Sequence, residues 1–327
     1  MAKSQDQLRV RAAWLYYIEG MTQSDVGKKL GINRITVTRL LSEAKKRGEV
    51  VIRIKSELTV LVELQQRLQE CFGLEQAIVA PLEAMEDDPT RVIASAAGTY
   101  VSELMRNGMT IGVGWGKTLH AMLPYIEERP LSDVRVVSLL GGIAQARRFN
   151  PAEFAWQFAE LFEAEGYLIS APAVVDSPQT RHALLENCGL DQILQLAEAC
   201  DAALLSCGGI TSLTTSYRSG HITESDRQSL IAAGAVGDFL YHFLDRDGNV
   251  IDHPVNQRSI SMSLDRLKRI PKKILMSGGR EKIEILRATI TSLVPTVLIT
   301  DEITARTLLE TAEKQPDRTV ERAESHS

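Results

Sequence analysis

Apolar positions at helical spacing run from the start of the chain to Phe72 and then give way to short apolar runs. Leu8, Ala12, Leu15 and Tyr16 predict a helix from Gln5 to Ile18, ended by Gly20. Val26 and Leu30, one turn apart, mark a second helix with Thr22 as its N-cap. Gly31 supplies a permissive turn backbone, and Ile32 is the apolar plug inside the turn. Asn33 caps a third helix. Its inner face is assigned to Ile35, Leu40 and Leu41 with Val37 alongside, and its outer side to Arg34, Thr36, Thr38 and Arg39. Val50 to Ile54 is a short β-type run, a wing or a closing strand. Leu61, Leu64 and Leu68 form one stripe of a helix from Leu58 to Phe72. That stripe suits either a linker or dimer contact or packing into a core.

From Leu74 the pattern alternates. QAIVA (Gln76 to Ala80), MTIGVG, VRVVSLL, YLISAPAVV, AALLSCGGI, KKILMSGG and TVLIT predict apolar strands. Helices are expected near Arg91 to Arg106, from Thr118 to Ile126, and after Asn150-Pro151-Ala152-Glu153, which has a cap, a proline and an acid where a first turn uses them. FLYHFLDRDGNVID reads as a hairpin turning at Asp247-Gly248. The fold class is α/β: a helix-turn-helix head and a larger, Rossmann-like, mostly parallel sheet. The domains are 1–56, a linker or oligomerisation helix 57–73, an effector domain 74–314 and a polar tail 315–327.

A length of 327 residues favours two domains. With 44% hydrophobic and 24% charged residues the chain has a globular composition. It has no apolar run long enough for a membrane helix and no signal-peptide core, so the cytoplasm is the expected compartment. The four cysteines and six histidines form no metal or disulfide pattern, and no metal or cofactor is expected. The net charge of -5 hides a split. Through Glu57 there are 12 Lys and Arg against 6 Asp and Glu; beyond it there are 25 against 36. A basic head on an acidic body fits contact with double-stranded DNA through the head alone.

The third helix presents short polar and basic side chains suited to the major groove. Lys45, Lys46 and Arg47 follow at the phosphate rim. The DNA-contact set is Thr22, Gln23, Ser24, Asn33, Arg34, Thr36, Thr38, Arg39 and Lys45. In the larger domain, glycines gather where strands end, as ligand sites of open α/β sheets require. Gly112-Val113-Gly114-Trp115-Gly116-Lys117-Thr118 leads from a strand into a helix and suits an anion. It is no P-loop, since three residues separate Gly112 from Gly116 where that motif needs four. Ser138 with Gly141-Gly142, Ser277-Gly278-Gly279 with Arg280 and Lys282, Gly237-Asp238, and Arg218 are the further polar candidates.

The stretch AAWLYYIEGMTQSDVGKKLGINRITVTRLLSEAKKRGEVVIRI, followed by IGVGWGKT, SLLGGI, the NPAE segment, ISAPAVV, YRSGHIT, GAVGDFLYHFLDRDGNVI and SGGREKIEILRA, resembles the SorC family of bacterial sugar-responsive transcriptional regulators across nearly the whole chain. The resemblance implies an effector domain akin to ribose-5-phosphate isomerase and glucosamine-6-phosphate deaminase. It further implies a dimer or tetramer, and operator affinity controlled by a sugar, polyol or sugar phosphate, most often by relief of repression. Matched residue by residue, the effector contacts are Gly114, Gly116, Thr118, Ser138, Gly141, Gly142, Arg218, Asp238 and Lys282. The competing expectation is a sugar-phosphate isomerase or deaminase with an added DNA-binding head. Asp238 and Lys282 would then supply acid and base, although no His-carboxylate constellation calls for catalysis.

Overall fold

The computed structural model describes residues 2–46, 49–50, 57–82, 88–143, 150–211, 217 and 222–313. The chain divides into two compact units, Met1–Glu57 and Leu58–Ser327. The β-type run expected beyond Val50, the polar tail and Arg218 lie outside the described residues, as do the side chains of Lys45 and Lys46.

The first unit packs α1 (Ala2–Tyr17), α2 (Gln23–Leu30) and α3 (Arg34–Lys46) around Ala12, Leu15, Val26, Val37, Leu40, Leu41 and Ala44. Thr22 accepts the Asp25 amide at 3.3 Å, and Asn33 accepts the Thr36 amide at 2.8 Å, so both expected caps are made. Gly31 closes α2 in the left-handed region with φ +68. Gly27 has a different task. A Cβ there would meet the Ile32 carbonyl at 2.7 Å, so only glycine lets α2 come this close to the turn, where the Ile32 amide bonds the Gly27 carbonyl at 2.9 Å. Arg9, 5% exposed, forks onto the Glu49 carboxylate at 2.6 and 2.5 Å and joins α1 to the segment after α3. That pairing holds the guanidinium firmly charged.

One expectation about this unit is corrected. Ile35 was assigned to the inner face but is 81% exposed. Two residues before Val37 is about 200° around a helix, so Ile35 points away from the arc that Val37, Leu40, Leu41 and Ala44 bury.

The second unit is a seven-stranded, all-parallel sheet. Its strands are β1 (Gln76–Ala80), β2 (Thr110–Val113), β3 (Arg135–Ser138), β4 (Glu165–Tyr167), β5 (Ala202–Leu205), β9 (Lys272–Met276) and β10 (Val297–Asp301), in the order β1-β10-β9-β5-β2-β3-β4. Three short strands, β6 (Cys207–Gly208), β7 (Gly237–Phe239) and β8 (His242–Leu244), make a separate antiparallel ribbon. The strands read as unbroken apolar runs because both faces are covered. Ala202, Leu204, Ile274 and Met276 face one core with α5 (Thr90–Leu104), α6 (Lys117–Met122) and α7 (Pro151–Glu160). Ala203, Leu205 and Leu275 face the other. That second core includes Leu61, Leu64 and Leu68 of α4 (Glu57–Phe72), so the stripe on this helix packs inward.

YLISAPAVV is not a strand. Only Glu165–Tyr167 pairs with β3, and the apolar residues after it form an irregular segment buried through single bridges from Pro172 to Gly142 and from Val174 to Ser259. Proline removes one ladder donor there. The helix expected from Thr118 to Ile126 stops at Met122 and tightens into a 3-10 turn, Leu123–Tyr125, at Pro124. The turn at Asp247-Gly248 is present, closed by the Asp245 amide on the Asn249 carbonyl at 3.0 Å, with one bridge from Leu244 to Val250.

Candidate functional site

In the first unit, Arg34, Ile35, Thr38 and Arg39 are exposed along one side of α3, and Thr36 is half-buried. Among the described residues no carboxylate pairs with Arg34 or Arg39, so both guanidinium groups are available to DNA. The Thr38 hydroxyl donates to Gln23 at 3.0 Å or to the Arg34 carbonyl at 3.1 Å, holding the first turn of α2 against α3. Thr22 and Ser24 are exposed at that turn, where free amide groups suit a phosphate. Ile35 extends this surface with an apolar side chain of the type that meets thymine methyl groups. Sequence reasoning missed it by counting it into the core. Its phase relative to Val37 and Leu41 carried the signal.

In the second unit the strand order reverses between β2 and β5, and the crevice beyond their carboxyl ends is where open α/β sheets hold ligands. The β2–α6 loop, Gly114 to Gly116, lies there. The Gly114 amide donates to the Leu204 carbonyl at 2.8 Å, and a Cβ at Gly114 would press on that carbonyl at 3.2 Å and on the Leu240 side chain at 3.1 Å. Gly116 takes φ +133, and a Cβ there would meet nothing nearer than Ser206 at 3.8 Å, so this side of the loop is open. Thr118 is buried in the first turn of α6. Lys117, beside it, pairs with Asp88. Burial pushes the Asp88 carboxyl up, but hydrogen bonds from Lys117 and Thr90 outweigh it and hold the group at about 2.

The neighbouring glycines are engaged with backbone carbonyls. The Gly141 amide donates to Ile260 and the Gly142 amide to Ala171, each at 2.8 Å, and the Ser138 hydroxyl donates to Leu140 at 2.8 Å. A Cβ on Gly141 would come within 2.6 Å of the Ala171 carbonyl. These groups shape the loop by close backbone approach rather than presenting free donors.

Asp238 and Lys282 come from distant parts of the chain. Asp238, on β7 and 4% exposed, lies over Gly208, with a carboxylate oxygen 2.7 Å from where a Cβ would stand. It also accepts the Tyr241 amide at 3.3 Å. Lys282 ends the 3-10 turn Arg280–Lys282 after Gly279. Burial pushes the Cys207 thiol up, Lys282 draws it down and Asp238 raises it, while the thiol touches the Ser277 hydroxyl at 3.4 Å. Ser277 therefore meets Cys207 just beyond the end of β5, and Asp238 pairs with the next residue, Gly208.

The hairpin carrying Asp238 turns through Leu240 and Tyr241, both at positive φ (51 and 60) and both buried. This is a glycine-type conformation held by bulky residues, a strain that persists only when packing over-determines it. The packing is visible: Tyr241 stacks on Trp115 with centroids 5.0 Å apart and planes at 12°. Leu-Tyr is no turn pair, so nothing in the sequence pointed to it. Among the described residues no three His, Cys, Asp or Glu side chains are grouped to hold a metal, and no helix is long and apolar enough to cross a membrane.

Residues 56–310 match the Sugar-bind family model, that of a sugar-binding domain, and residues 3–50 match a homeodomain-like domain. The chain is 29% identical over 311 residues to the erythritol catabolism regulatory protein EryD of Brucella abortus, covering 94% of this chain and 98% of that protein. It is 30% identical over 315 residues to the deoxyribonucleoside regulator of Bacillus subtilis, covering 94% and 99%. The crystal structure of the full-length sorbitol operon regulator SorC from Klebsiella pneumoniae superimposes with a TM-score of 0.70 at 25% identity, covering 93% of this chain and 98% of that one. These relatives are named as regulators, and none of the three as an enzyme. The chain belongs to the SorC family of sugar-responsive transcriptional regulators, with a helix-turn-helix head and a sugar-binding domain.

Proposed function

We propose that the protein acts in the cytoplasm as a homo-oligomer, a dimer or tetramer, whose paired α3 helices read a pseudo-palindromic operator and whose effector relieves repression. Arg34, Ile35, Thr38 and Arg39 read base edges. Thr22, Gln23, Ser24, Asn33, Thr36 and Lys45 set register on the backbone. The effector is a sugar, a polyol or a phosphorylated sugar, in keeping with relatives named for erythritol, sorbitol and deoxyribonucleosides. Asp238 accepts its hydroxyl hydrogens. Lys282 and the open Gly116–Thr118 turn hold its most negative end, with Arg218 as a further cation. Gly114, Ser138, Gly141 and Gly142 hold the loops in shape around it. The observation that carries this reading is the open Gly116–Thr118 turn at the switch point of the sheet, with Asp238 buried on the ribbon that follows β5.

Control requires that the effector bind two conformations unequally, and allosteric coupling of about 1–3 kcal/mol is typical. The test is a thermal-shift screen of the full chain against sugars, polyols and their phosphates. A hit should lower operator affinity, and Asp238→Ala should lose the shift while still binding operator. A hit that leaves operator affinity unchanged, or that Asp238→Ala still binds, would sink the assignment.

A further inference from the structure

The segment from Pro178 to Glu198 folds beside Ser261–Arg266 and borders a half-open cavity of about 610 Å³ that shares no lining residue with the proposed effector site. That volume lies within the usual range of small-molecule sites, roughly 300–1,000 Å³. Its wall includes the π-helical turn Ala183–Asn187, a rare geometry that recurs at functional sites, followed by Gly189 at φ +75. The polar lining includes Arg181, Glu186, Asp191, Gln192, Ser261 and Arg266.

Two guanidinium groups, Arg181 and Arg266, and two carboxylates, Glu186 and Asp191, line this cavity, but they are not paired one to one. Asp191 is matched by Arg266 at 2.7 Å, and Arg266 also meets Glu198 at 2.8 Å, which Arg269 shares at 3.1 Å. Glu186 faces His182 at 3.1 Å. Arg181 donates its Nε to the Ser259 carbonyl at 2.8 Å, and no carboxylate among the described residues pairs with it. A half-buried guanidinium with its two Nη groups uncommitted is a fork suited to an oxyanion. Ser261 and the Gln192 amide line the same space with further donors. Ser261 is not isolated: its hydroxyl meets Ser259 at 3.1 Å and His242 Nε2 at 3.0 Å, and His242 lies opposite Phe239 on the ribbon that carries Asp238.

We propose that this cavity is a second ligand site, for a small oxyanion of the carboxylate or phosphate class seated on Arg181. It is independent of the effector assignment, so the two succeed or fail separately. The test titrates inorganic phosphate by calorimetry into the full-length Lys282→Ala protein, a background that removes one cation of the proposed effector site. One phosphate per chain should still bind. Arg181→Gln in that background should weaken it at least tenfold. So should Gln192→Glu, which sets a carboxylate at the mouth without breaking any hydrogen bond among the described residues. If Arg181→Gln fails to fold, Gln192→Glu decides. No phosphate binding in Lys282→Ala, or binding left unchanged by the substitutions, overturns the site.

Discussion

Gly27→Ala sets two physical effects against each other. Alanine in place of glycine inside a helix gains about 1 kcal/mol of helix propensity. On that ground alone α2 would be stabilised. The structure argues the reverse. The new methyl group would stand 2.7 Å from the Ile32 carbonyl oxygen, a main-chain atom that has no rotamer to escape through. Relieving the contact pushes α2 off the turn and stretches the 2.9 Å bond from the Ile32 amide to Gly27. Overpacking of this kind costs about 1–3 kcal/mol, with the upper end expected against backbone, so the net loss is about 2 kcal/mol. For a unit of this size that lowers the melting temperature by roughly 8–16 °C. The assay is hydrogen exchange of the α2 and α3 amides in the full chain, followed with temperature, beside operator binding. Exchange in the head should rise about thirtyfold, given 1.4 kcal/mol per factor of ten, while the sheet amides keep their protection. Protection of α2 equal to or above that of the parent would refute the packing argument and leave propensity in charge.

Three other perturbations have definite outcomes. Arg39→Ala should weaken operator binding by about 1–3 kcal/mol with effector binding intact, and Ile35→Ala should weaken it selectively at one base position; a gel-shift series across operator variants distinguishes a base contact from a phosphate contact. His242 is buried, and burial, helped by Arg181 and opposed by the Met262 carbonyl, lowers its pKa. Below about pH 6.5 the unfolded chain therefore takes a proton that the native state refuses, so stability falls as pH drops, by at most about 1.4 kcal/mol per unit. Denaturant titrations at pH 7.5 and 5.5 should show a smaller loss for His242→Gln than for the parent, and an equal loss would remove His242 from the explanation. Tyr241→Gly would relieve a strained φ worth about 1–2 kcal/mol. It also gives up a buried aromatic worth about 3–5 kcal/mol, so denaturant melts should show net destabilisation.

The head was legible because its signals are local. Thr22, Gly31 and Asn33 do at their own positions what short-range turn and cap chemistry predicts. Ile35 was misassigned because a run of apolar letters was weighed without its angular phase. The parallel strands were legible because burial on both faces leaves unbroken apolar runs. The same logic misled at YLISAPAVV, whose burial comes from single bridges to other loops rather than from a ladder. At the candidate effector site, Asp238 and Lys282 were picked out from their glycine-rich surroundings and from resemblance, while the pairing of Asp238 with Gly208 depends on long-range topology. Likewise, the engaged amides of Gly141 and Gly142 depend on carbonyls supplied by Ile260 and Ala171. The Leu240-Tyr241 turn and the role of Gly27 had no sequence rule to announce them, since both follow from what lies across the gap.

Each of the three apolar clusters lies wholly within one unit: one among residues 8–50, and two beyond Val60. Among the described residues each unit has its own core, so substitutions that retune one core are repacked within that unit. The chain is in that sense two cassettes on one gene product. Which promoter is addressed and which metabolite is heard can drift, or be exchanged by recombination near Glu57, along separate evolutionary paths.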